Sequence, residues 1–318
     1  MSHMIDMSNG RANIAFVGQP CWHGLGQKLS QGASIDQWRV EAGLDWHAGR
    51  AGVQFEADGV VRQGDSEVLF RSDNFKQLGI VSPEYKIVQP GEVLEFFRDL
   101  VSTGDMALET AGCLDDGKKV WALAKTNQDF RVFGQDQVEG YLLLATSFDG
   151  TLSTRAQFTS VRTVCMNTLR IALSEKAGIS IPHSAIFNKF NVKLDLGLLD
   201  SGFSTFKDNV ETLATRKVSD SEVVKFLVKV ITGEDNLEGL STRSANTVKG
   251  VIDLYKGKGM GSNLRSSDGT AWGLVNAVTQ YYDHESGRNA NNRFRSAQFG
   301  QAAVNKDMAF KEALKLVA

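Results

Sequence analysis

Arginines set near aromatic and amide side chains are the residues whose placement in this chain could do chemistry. Arg288, Arg293, Phe294 and Arg295 fall in a polar stretch that includes Asn289 to Asn292. A segment of this type can follow a phosphate backbone while an aromatic ring stacks on a base. An ordinary solvated loop has the same composition. Arg155, Arg162 and Arg170 form a second set. They flank an expected last strand and the helix expected after it, so one groove could present all three to a single nucleic-acid strand. Phosphate charge dominates the affinity of such contacts. Salt-bridged surface arginines are the plainer alternative.

Other chemistry is sparse. Cys21 and His23 stand two apart with no matching second pair. A tetrahedral zinc site takes four ligands at recognisable spacings, so no metal is expected. The run Gly257-Lys258-Gly259-Met260-Gly261-Ser262 lacks the spacing of a phosphate-binding loop, and no strand leads into it. It reads as a connector between helices, and no cofactor is expected. No Gly-x-Ser-x-Gly elbow occurs. Cys165 lies on the apolar side of its expected helix and reads as an inert thiol. Asp283-His284 closes a helix; a charged helix end is the simple reading and general acid–base work the other. No catalytic residue is assigned, and the chain reads more readily as a non-enzyme.

The elements that must position these residues follow from periodicity. Residues 34–42 are expected as a short helix, and Val53 to Phe70 as strands broken by the turn pair Asp58-Gly59. Val93, Phe96, Phe97, Leu100 and Val101 make one helical stripe over 91–102. Leu108–Leu114, Val120–Lys125, Tyr141–Thr146 and Leu152–Phe158 read as strands in hairpin order. Residues 160–176 read as a helix with Val161, Val164, Cys165, Thr168, Leu169 and Ala172 on one face. Beyond Pro182 the pattern is mainly helical, with a capping box at Ser219-Asp220-Ser221-Glu222. The order predicts an α+β fold, with an antiparallel sheet and packed helices in the first half to two-thirds and a helical C-terminal part. The expected divisions are a flexible lead over 1–15, a core over 16–180 and a helical region over 181–318.

Composition sets the frame. At 318 residues with 42% hydrophobic and 23% charged content, a sizeable core can form and disorder is disfavoured. Three cysteines at wide spacing make a poor disulfide framework and fit a reducing compartment. No apolar run approaches the ~20 residues of a membrane span. A cytoplasmic protein with no membrane partner is expected. The net charge of −2 is uneven: residues 1–150 carry 13 Lys+Arg against 21 Asp+Glu, and residues 151–318 carry 22 against 16. The split hints at an anionic partner for the second half, or at two halves with complementary charge.

The loop Cys21-Trp22-His23-Gly24-Leu25-Gly26 resembles the Trp-His-Gly-Leu-Gly signature of a phage/plasmid-like protein family defined by a domain of unknown function. Arg71-Ser72-Asp73, Leu78-Gly79, Val81 to Tyr85, Gly112 and Trp121 follow in order. So do Phe148-Asp149-Gly150, Thr159 to Leu169 with Asn167, Thr270-Ala271-Trp272, Asn276 and Asp283-His284. Phe148 stands where histidine is expected in relatives, and Cys21 where proline is usual. The resemblance implies a gene of phages, plasmids or integrated elements in a bacterial host. It supplies no reaction.

Three readings follow. The first is a DNA-metabolism protein that binds single-stranded DNA, working as a homo-oligomer. The order from Leu108 to Lys176 is similar to the sheet-plus-helix core of ring-forming single-strand annealing proteins, which implies strand annealing in recombination. The second is an interaction protein that blocks a host defence factor through its acidic first half. The third is an enzyme using Trp22, His23, Asp149 and His284.

Overall fold

Alternating and β-branched residues build the first half of the chain as strands. The computed structural model describes residues 5–8, 10–18, 24–162, 167–170, 178–197, 201–234, 240–287 and 290–317; for residues 162, 167–170, 197, 201–202, 290–291 and 294–295 the description is of backbone alone. The strands are β1 (Ile14–Val17), β2 (Gln27–Leu29), β3 (Ala48–Ala57), β4 (Val60–Arg71), β5 (Gln77–Val81) and β6 (Met106–Leu114). They continue as β7 (Lys119–Val132), β8 (Asp136–Ser147), β9 (Thr154–Arg162), β10 (Asn167–Arg170) and β11 (Ile179–Ile181). The helices are α1 (Ile35–Glu41), α2 (Pro90–Glu95), α3 (Arg98–Ser102), α4 (Lys189–Gly197), α5 (Ser201–Thr215), α6 (Asp220–Thr232), α7 (Thr242–Asp253), α8 (Ala271–Gln280), α9 (Ala290–Phe299) and α10 (Gln301–Lys315). Strands gather in the first part and helices in the second, so the fold is α+β.

The larger sheet runs in the order β10-β9-β8-β7-β6-β1-β2, with β11 also pairing β9. The ladders β1–β6, β6–β7, β9–β10 and β9–β11 are antiparallel, and β1–β2 is parallel. The second sheet, β3-β4-β5, is antiparallel. Its first hairpin turns on Asp58 (φ 53°) and Gly59 (φ 72°), the left-handed pair that a two-residue hairpin needs. Helix α1 begins with a capping box at Ser34. The helix expected over 91–102 is divided by a turn at Phe96–Phe97 into α2 and α3. Among the described residues no helix is long and apolar enough to cross a membrane.

One expectation is corrected. Residues 160–162 and 167–170 are strand, not helix, and pair with each other from Asn167–Arg162 to Arg170–Thr159. Thr159, Val161 and Thr168 are β-branched and fit a pleated surface. A short apolar run satisfies both periods, and only the neighbouring strand decides between them. The chain forms two compact units that interleave in sequence. The first comprises residues 1–127, 141–157 and 178–198, and the second residues 128–140, 158–177 and 199–318. Strands β7, β8 and β9 each pass from one unit into the other. The expected lead contributes Ile5, Asp6, Ala12 and Asn13 to the buried interior, and Ile5 bridges to Leu114.

In the first unit, Trp38, Leu44, Leu69, Phe96, Phe97, Leu142 and Phe148 are buried. The second unit centres on α8, every residue of which is buried. Two of its polar residues bond within the helix: Asn276 donates to the Trp272 carbonyl at 2.8 Å and Thr279 to the Val275 carbonyl at 2.6 Å. Around it Phe130, Phe203, Phe206 and Phe310 form an aromatic cluster with ring centroids 5.3–6.3 Å apart. Phe203, Phe206, Val210 and Leu213 share the buried face of α5, as their spacing predicts.

Candidate functional site

Arg71 ends β4, and its side chain is wholly buried. A guanidinium cannot shed its proton at ordinary pH, so burial demands carboxylates. Asp73 takes two hydrogen bonds from it, Nε to Oδ1 at 2.9 Å and Nη2 to Oδ2 at 2.6 Å. Asp6, equally buried, accepts from Nη1. The guanidinium also lies over the Trp46 ring, 4.5 Å from its centre. Asp6 further accepts from Asn13 Nδ2 at 2.6 Å, the Ser8 amide at 2.9 Å and the Cys113 thiol at 3.4 Å. Burial works to raise the Asp6 carboxyl, but the Asn13, Ser8 and Arg71 hydrogen bonds outweigh it and hold it below the usual Asp value. Burial and the Asp6 charge push the Cys113 thiol far up. The cluster is a packed internal network, and its carboxylates already hold a full set of donors.

A second group joins β7 to the turn after β8. Lys119 Nζ reaches Asp149 at 3.0 Å and Asp115 at 3.4 Å. Burial works to raise Asp149, but bonds from the Thr151 side chain and amide and from Lys119 leave it below the ordinary value. It is a charged, structural carboxylate and not a proton donor near neutrality. Tyr85 donates to the Ser147 carbonyl at 2.8 Å and stacks on His183, ring centres 4.2 Å apart. Burial pushes the Tyr85 phenol up to about 12. The His183 ring nitrogens lie 2.9 Å from the Lys86 carbonyl and 3.0 Å from that of Leu152. Gly79 passes this turn so closely that a Cβ would stand 2.6 Å from the Phe148 carbonyl.

Beside Tyr85 opens a cleft of about 340 Å³, lined by Arg50, Lys86, Glu92 and Phe187 among others. Its arginine is committed: Arg50 pairs with Glu67 at 2.7 Å and donates to the Pro83 and Tyr85 carbonyls. Among the described residues no group of three histidines, cysteines or carboxylates is placed to hold a metal ion.

In the second unit Asp136, nearly inaccessible at 1% exposure, accepts from Ser266 Oγ at 2.7 Å and Trp272 Nε1 at 3.2 Å. Asp283 pairs with Lys306 at 2.6 Å, both side chains buried. His284 stands in the turn that follows α8. Trp272, Asn276 and Asp283, singled out in the sequence, thus serve internal contacts here. Their partners Asp136 and Lys306 carry no local sequence signal, lying 136 and 23 positions away.

The cationic candidates divide between the units. Arg155 belongs to the first, where its Nε lies 3.5 Å from Ser153 Oγ. Arg162 and Arg170 belong to the second, on β9 and β10, so no helix presents them. Arg293 holds the end of the α8 turn, donating to the Ser286 carbonyl at 2.7 Å and to that of His284. The Arg162, Arg170 and Arg295 side chains, Arg288, and the Asn167 side chain lie outside the described residues, as do Trp22 and His23. Gly24 (φ 67°) and Gly26 (φ 117°) of the same loop are described, and both need the left-handed backbone. Regrouping charge by unit changes its balance: the first holds 15 Lys+Arg against 19 Asp+Glu, and the second 20 against 18.

Fold and site together define an α+β protein in which Trp272, Asn276 and Asp283 make buried polar contacts. The family model described as Domain of unknown function (DUF932) matches residues 77–309, and the chain belongs to that family. No curated protein and no solved structure matches the chain.

Proposed function

We propose that the chain is a DNA-metabolism protein that binds single-stranded DNA without chemical change to it. The carrying observation is the β9–β10 ladder, in which Asn167 stands opposite Arg162 and Arg170 opposite Thr159. Two arginines thereby occupy neighbouring strands of one sheet, in the unit with the cationic excess. Strand spacing and rise put the two positions about 11 Å apart but, three residues out of step, on opposite faces of the sheet, so around the edge strand β10 they would supply two separate phosphate contacts and not one shared groove. Strand annealing is not part of the proposal, because the helix that supported it is replaced by β10.

Anisotropy titration of a labelled oligonucleotide tests this. Wild-type protein binds single-stranded DNA with an affinity that falls as salt rises. The double variant Arg162→Ala/Arg170→Ala lowers the slope of log K against log salt by about 1.4, at roughly 0.7 per lost phosphate contact. Absence of salt-sensitive binding in the wild type removes the proposal. A second reading, a protein that occupies a host factor, draws on the anionic first unit; recovery of nucleic acid alone from a host lysate counts against it.

A further inference from the structure

The sheet β3-β4-β5 packs one face inward, where Leu69 and Arg71 are fully buried. The other face is open. Pleating fixes its members: Phe55 pairs with Arg62, Ala57 with Val60 and Val68 with Ile80. The Phe70 ring lies across Gly49, its partner on β3, so closely that a Cβ there would meet it at 2.7 Å. Gln63 likewise covers Gly52 on the inner side, which keeps the alternation in phase across the irregularity between Gly52 and Gln54. Phe55, Val60, Val68, Phe70 and Ile80 therefore share the outer face, and Phe75 extends it, 6.2 Å from Phe70. Phe75 is 77% exposed and Ile80 57%, and Phe55 and Val60 are open too.

A second apolar surface lies on α4 of the same unit. Val192 and Leu196, one turn apart, are buried. Phe190 and Leu194, on the opposite side of the helix, are 72% and 60% exposed, and Ile186 just before it is open as well. The Asn188 side chain accepts from the amides of Phe190 and Asn191 and so fixes where the helix starts.

We infer that these two surfaces dock on each other between copies of this chain, α4 of one copy on the outer face of β3-β4-β5 of the next. Contiguous exposed apolar patches with aromatic side chains mark association surfaces. The charges match. The hairpin from Arg50 to Glu67 carries four acidic residues against two arginines, whereas residues 183–197 carry Lys189 and Lys193 against the single acid Asp195, with Lys193 paired to Asp99 at 2.9 Å. The sizes fit over part of that face: α4 spans about 13 Å, enough to cross three strands about 10 Å wide at the Val68, Phe70 and Ile80 end, while Phe55 and Val60 lie toward the hairpin tip beyond it. Both surfaces belong to one unit and both stay open within it, so the pairing joins copies. Used head to tail, with one such contact between each pair of copies, the two surfaces make a heterologous contact, which builds a ring or filament. The inference does not depend on the nucleic-acid reading.

Sedimentation velocity on the full chain across a concentration series tests it. Wild-type protein forms species larger than a dimer. Ile80→Asp and Phe190→Asp each stop growth and raise the apparent dissociation constant at least tenfold, with circular dichroism and thermal midpoint unchanged. Phe75→Ser and Leu194→Ser serve as milder second variants. Mixing the two Asp variants restores a one-to-one complex, because each keeps one intact surface. A wild type that stays monomeric overturns the inference. So does association that both variants leave intact, as it would if a protein of another kind covers these faces. A mixture that stays monomeric overturns the head-to-tail pairing.

Discussion

A buried guanidinium between two carboxylates is stable only while its partners stay charged. Replacing Arg71 with Ala leaves Asp6 buried and uncompensated, and destabilises the chain by about 3–5 kcal/mol, read as a lower urea midpoint. Replacing Arg71 with Met and Asp6 with Leu together restores part of that loss: both fully buried charges are gone, Asp73 is 28% exposed and turns to water, and the remaining deficit is the buried Asn13 amide left without its acceptor. The same pairs set an acid limit. Asp6 and Asp149 both sit below the ordinary value of 3.8 when folded, so the unfolded chain binds protons first. Their contribution is complete well above pH 3.8 and is lost as pH falls through that value toward the folded pKa of each. Thermal midpoints flat from pH 7 to 5 and falling below pH 4 are the expected record. Arg71, Asp73 and Asp149 stand out in the sequence because they sit in recognisable motifs. Asp6 does not: its partner lies 65 positions away, and its own surroundings read as a loose lead.

Elements with local determinants are legible. The Ser219 hydroxyl accepts from the Glu222 amide while Glu222 returns to Ser219, a reciprocal bond written in four consecutive residues. Ser219→Ala costs about 1 kcal/mol, with α6 fraying first by hydrogen exchange. The Asp58-Gly59 hairpin was equally readable, because left-handed backbone limits the residue types allowed. By contrast β10 could not be read locally. Its residues suit either a helix or a strand, and the outcome rests on β9 lying beside it. The far half of β7 and the start of β8 are hard to read for a similar reason: polar residues dominate between Thr126 and Gly140, and the buried Phe130, Val132 and Val138 are too few to set a period by themselves.

At the scale of the whole molecule, sequence order and spatial grouping part company. The second unit takes Phe130 and Asp136 from the β7–β8 hairpin, and these supply the aromatic cluster and the acceptor for Trp272 and Ser266. A fragment covering residues 181–318 lacks both. It should show reduced helix content by circular dichroism and no cooperative thermal transition, while the intact chain melts cooperatively. The charge contrast between sequence halves also shrinks once residues are grouped by unit, from −8 and +6 to −4 and +2. A linear charge profile cannot foresee this, because the anionic segment 128–140 and the cationic Arg155 each fall on the other side of the boundary.

The Cys113 thiol, walled in beside Asp6 and Arg71 and held protonated, gives the molecule a built-in clock. An alkylating reagent attacks only a thiolate that water can reach. Peptide-resolved labelling at position 113 therefore ticks at the frequency with which the first unit opens. Any ligand that binds the closed form alone should slow that clock in proportion to its occupancy, whatever its chemical nature.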